Sequence, residues 1–97
     1  IQNLRNGNFY DAHKDLEYLW FPRRFDENDE VKLIKGFINA SVSFELHKKG
    51  KIEPSKKVWN NYLKYMDLIH SINSPYLEKY HQIIKDIDII KKSFINI

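Results

Sequence analysis

Apolar side chains that return every three or four residues, in blocks divided by prolines and glycines, set the strongest limit on what this chain can become. Val58, Tyr62, Tyr65 and Ile69 recur at that interval with Trp59, Leu63 and Met66 beside them, and Tyr76, Tyr80, Ile83, Ile87, Ile90 and Phe94 make a second stripe. Such spacing gathers side chains on one side of a helix, whereas a half-buried strand needs strict alternation. The isoleucines from Ile83 to Ile90 are likewise spaced by charges at helical intervals. The expected class is therefore all-α, a single-domain bundle of about four helices over residues 1–97.

The punctuation gives the boundaries. Asn8 is placed to cap a first helix, with Asp11 three residues on as its capping-box-like partner, and Pro22 stops that helix near Phe21. A polar loop over Arg23–Asn28 follows. Asn28 or Asp29 caps a second helix of roughly twenty residues, which closes with the basic turn His47, Lys48 and Lys49 before Gly50. Glu53-Pro54 opens a third helix ending near His70, and Ser74-Pro75 opens the fourth.

On a wheel of roughly 100 degrees per residue, Ile34, Phe37, Ile38, Ser41 and Phe44 share one face of the second helix. Gly36, Ala40 and Ser43 line the opposite side, and small side chains let a neighbouring backbone come close. The second helix is thus expected in the middle of the bundle.

Composition removes several function classes. The chain has no cysteine, which excludes disulfides, thiolate metal sites and a cysteine nucleophile. Sixteen basic and 13 acidic residues give a net charge of +3 with the signs interspersed, the pattern of a solubilising surface. No apolar run approaches the roughly 18 residues of a membrane span and no leader-like segment is present, so a cytoplasmic protein without membrane contact is expected. Nucleophile elbows, phosphate loops and calcium loops are absent from the sequence.

Chemistry concentrates on the first helix. Phe9, His13, Leu16 and Trp20 fall within one narrow arc with Glu17 at its edge, while Asp11, Lys14, Asp15 and Tyr18 face the other way. His13 therefore points inward, and Glu17 meets it at the i, i+4 spacing. Three uses are open. His13 and Glu17 could hold a divalent metal such as zinc, iron or manganese, together with ligands from elsewhere. They could serve as an acid-base or ligand-binding pair, with Trp20 roofing the site. They could instead be a structural latch that holds helix one to its neighbours. Glu45 is the candidate third member, because it falls on the apolar face of helix two, where a surface carboxylate is not expected; it could equally pair with Lys48 or Lys49.

The run Gly7-Asn-Phe-Tyr-Asp-Ala-His13-Lys-Asp-Leu-Glu17-Tyr-Leu-Trp20 resembles the H-x-x-x-E-x-x-W/Y signature of the DUF309 family. Leu33-Ile-Lys-Gly36-Phe-Ile-Asn39-Ala is similar to that family's second motif, so the likeness spans about residues 7–50. The resemblance implies a helical bundle with an important, metal- or ligand-binding motif at His13 and Glu17, and no known reaction. The chain departs from the family pattern at Lys14, where glutamate is usual, at Asn39, where glutamine is usual, and at Leu46, with the expected histidine displaced by one to His47.

Partners follow from the same residues. A small-molecule ligand at His13, Glu17, Trp20 and Glu45, or self-association through surplus aromatics or the Phe94–Ile97 tail, is expected. The basic stretch around Lys48, Lys49, Lys51, Lys56 and Lys57 reads as helix-end complementation rather than a nucleic-acid surface.

Overall fold

The computed structural model describes residues 7–26 and 28–94. Four α-helices follow one another among the described residues: α1 (Phe9–Trp20), α2 (Asp29–Lys48), α3 (Ile52–Met66) and α4 (Leu77–Lys91). Short 3-10 turns at Phe21–Arg23 and Asp67–His70 extend α1 and α3, and no strand occurs among the described residues. The all-α expectation holds.

Each boundary has a local cause. Asn28 caps α2 through its side chain, which accepts from the Val31 amide at 2.9 Å, and Gly50 beyond the far end adopts φ +78°. The Asn8–Asp11 box does not form: Asn8 stands at the N-cap of α1, but its side chain makes no cap bond there, and only its carbonyl takes up the Ala12 amide, at 2.9 Å. Pro22 ends α1 by way of a 3-10 turn. Helix α4 begins later than expected because Ser74 Oγ accepts the Tyr76 amide at 3.1 Å, which holds Pro75 and Tyr76 in a turn.

Contacts along α2 give the topology. Phe9 near the start of α1 packs on Phe44 near the end of α2, while Arg23 beyond α1 reaches Glu30 at the start of α2, so the two run antiparallel. Helix α3 is also antiparallel to α2, with Ser55 against Ser43 and Tyr65 against Gly36. Tyr80 packs on Phe37 and Phe94 stacks on Phe44, so α4 runs with α2. This is an up-down-up-down arrangement with α2 at its centre, buried on the Ile34–Phe37–Phe44 face and on the Gly36–Ala40–Ser43 face alike.

The small-residue side is where α3 closes in. Ser43 Oγ donates to the Ser55 carbonyl at 2.8 Å, and Ser55 Oγ donates to the Ser43 carbonyl at 3.0 Å, with all of these groups buried. The core around α2 comprises Leu16, Leu33, Phe37, Phe44, Tyr62 and Ile87, each almost fully buried. Leu63 and Tyr76, placed on apolar stripes by spacing alone, are exposed. Phe94, partly buried, packs against Phe9, Phe44 and His47; Ile95–Ile97 lie outside the described residues.

Candidate functional site

The α1 wheel is realised. Phe9, Ala12 and Leu16 are buried, Asp11, Lys14, Asp15 and Tyr18 are exposed, and His13 lies between, its side chain 23% accessible. His13 Nε2 sits 2.7 Å from Glu17 Oε2. At that separation a proton must lie between the two atoms, and since an ionised carboxylate only accepts, the imidazole supplies it. The other ring nitrogen turns toward α2, where Glu45 Oε2 stands 3.9 Å away.

That gap is the chemically informative part of the site. It exceeds hydrogen-bond length, and His13 Nδ1 is buried with no hydrogen-bond partner among the described residues. With Nε2 carrying the proton, a neutral ring presents a lone pair at Nδ1 to a carboxylate oxygen, two acceptors face to face. A donor or a cation between them, or a second proton on the ring, removes the conflict.

Glu45 owes its place to the turn of α2 that faces the start of α1. Its side chain is only 16% accessible, and its other oxygen accepts from Lys49 Nζ at 3.0 Å, one turn on. Both sequence alternatives for Glu45 are therefore present at once, a carboxylate turned toward His13 and a partner of Lys49. The result is a row of polar groups from Glu17 through His13 and Glu45 to Lys49 that runs from α1 to α2.

Trp20 lies seven residues beyond His13, about 10 Å along the axis at 1.5 Å per residue, and packs at the edge of the core. The ring beside the imidazole is that of Tyr10, edge-on with centroids 6.4 Å apart. Sequence reasoning missed Tyr10, although its i, i+3 spacing to His13 was the available signal. A recess of about 450 Å³ opens next to Glu45, lined also by Tyr10, Asp11, Lys48 and Lys49. No group of three or more His, Asp or Glu side chains is arranged to hold a metal ion among the described residues. Within the basic stretch, Lys48 lies over the Phe9 ring, Lys49 pairs with Glu45 and Lys56 with Glu53, while Lys51 and Lys57 are exposed.

A second polar cluster sits at the opposite end of α2. Glu30 has its carboxyl held below the usual range by the Ser74 hydroxyl, with help from Tyr80 and Arg23, against the opposing effect of burial.

The family model for DUF309, a domain of unknown function, matches residues 1–58, which include His13, Glu17, Trp20 and Glu45. The chain belongs to the DUF309 family. The DUF309 match thus contains α1, α2 and the first half of α3, and α4 falls beyond it. No curated protein and no solved structure matches the chain. No described helix is long and apolar enough to cross a membrane.

Proposed function

We propose that this DUF309 protein is a binding protein whose His13, Glu17 and Glu45 receive a small ligand that offers a hydrogen-bond donor or a positive charge, a divalent cation included. The single observation that supports the reading is the buried, unpartnered Nδ1 of His13 facing the Glu45 carboxylate across 3.9 Å. Buried polar nitrogens in native proteins are nearly always satisfied, so an orphan pointed at a carboxylate suits a guest that bridges the two. If the guest is an ion between Nδ1 and Glu45, those two groups would be its ligands with solvent filling the remainder, and Glu17 would orient the ring through Nε2; for His13 and Glu17 to act together as metal ligands, the ion would instead have to replace the proton between Nε2 and Glu17. Trp20 would then bound the site from the C-terminal side of α1. The reading assumes a cytoplasmic setting.

A second reading has its own support. The Glu17–His13–Glu45–Lys49 row spans two helices, which is what a structural latch would do. Two measurements separate them. Elemental analysis of protein purified without a histidine tag, together with calorimetric titration of Zn²⁺ and Mn²⁺, is expected to give near-stoichiometric binding that H13A abolishes while the fold persists. A fall of several degrees in the melting temperature of H13A and E17A, with no ion or small molecule ever found on the parent protein, would leave only the latch.

A further inference from the structure

Away from the His13 notch, α1, α2 and α4 leave a cleft of about 670 Å³, inside the range of small-molecule sites. Its floor is apolar and buried: Leu16, Ile34, Phe37 and Ile83. Its rim carries two cations, Arg23 from the 3-10 turn after α1 and Lys79 from the first turn of α4, and no carboxylate is among the described lining residues. Arg23 already leans on Glu30 at 3.5 Å and Asp26 at 3.8 Å. Lys79 lies over the ring of Tyr76, 5.7 Å from Nζ to the centroid, with no carboxylate paired to it among the described residues.

An oily trough with an uncompensated ammonium at its lip is complementary to a molecule with an apolar body and a negative head. We infer that the cleft binds a free single-chain carboxylate, its hydrocarbon lying on Leu16, Ile34, Phe37 and Ile83 and its carboxylate against Lys79. Apolar burial supplies the affinity and the charge fixes the orientation. Lys79 on α4 lies outside residues 1–58, the stretch the DUF309 model matches, and the cleft does not depend on the reading of the His13 site.

The test uses the full chain with dodecanoate, dodecanol and dodecyltrimethylammonium, all below their micellar concentrations, followed by calorimetry and by amide chemical shifts. Dodecanoate is expected to bind one to one, with shifts concentrated at Leu19, Ile34, Tyr80 and Ile83, and the cationic chain about tenfold more weakly. K79E and L19E alter exposed positions and so leave the fold intact; each is expected to weaken dodecanoate about tenfold or more while leaving the melting temperature of the free protein in place. Equal binding of all three chains, shifts confined to other surfaces, or no binding of dodecanoate would overturn the inference. So would a concentration-dependent dimer abolished by L19E, since a second copy would then fill the cleft, or binding only to anionic vesicles.

Discussion

At Gly36 a β-carbon would stand 2.8 Å from Cβ of Tyr65, closer than real side chains approach, and that neighbour is too near its own backbone to swing aside. Replacing a mid-helix glycine by alanine ordinarily stabilises by about 1 kcal/mol. Here overpacking of about 1–3 kcal/mol opposes the gain. G36A is therefore expected to lower stability, read as a smaller urea midpoint at unchanged slope. The same scale shows what residue patterns can and cannot announce. Glu45 stood out as a carboxylate on an apolar face, and it does turn inward. Tyr10 did not stand out: the wheel puts the Trp20 indole on the His13 arc, and a wheel projection discards the two turns of axial rise between Trp20 and His13.

Between elements, the Ser43–Ser55 exchange is the clearest lock. Each hydroxyl donates to the other residue's carbonyl, and the two oxygens lie 3.1 Å apart. Because either substitution breaks the shared pair, S43A and S55A together are expected to cost less than their sum, with a coupling of about 0.5–3 kcal/mol in a double-mutant cycle of denaturant unfolding. At the start of α2, N28A removes the cap on the Val31 amide and is expected to cost about 1 kcal/mol by the same measurement. Helix faces were the most legible level of this sequence: the line of small residues on α2 foretold a helix covered from two sides, since lack of bulk is visible in letters. The cleft was not legible. Its walls come from α1, α2 and α4, and no local pattern reports how three distant segments meet.

For the molecule as a whole, alkaline and acid limbs of stability have separate origins. Burial first, then the neighbouring Glu30 carboxylate, pushes the Tyr80 phenol up to about 12, and burial, with Asp88 nearby, raises Tyr62 as well. An unfolded tyrosine ionises near 10, so the unfolded chain loses these protons before the folded one does. Stability is then whole below pH 10 and falls as pH climbs toward 12. Circular dichroism across that window is expected to show unfolding that Y80F delays. Glu30 acts in the other direction: its lowered carboxyl stabilises the fold above the ordinary carboxylate range, and that contribution fades as pH drops through the folded value. E30Q is expected to flatten the acid limb in the same experiment.

The family match stops at residue 58, partway along α3, one position before Trp59. A fragment trimmed to that homology boundary would keep His13, Glu17 and Glu45 yet lose the rings and branched side chains of Trp59, Tyr62, Ile83 and Ile87 that wedge the central helix in place. The matched segment and the packed core are thus different lengths of chain. Anyone grafting the motif onto another scaffold should carry the sequence through Phe94, or supply equivalent bulk from the host.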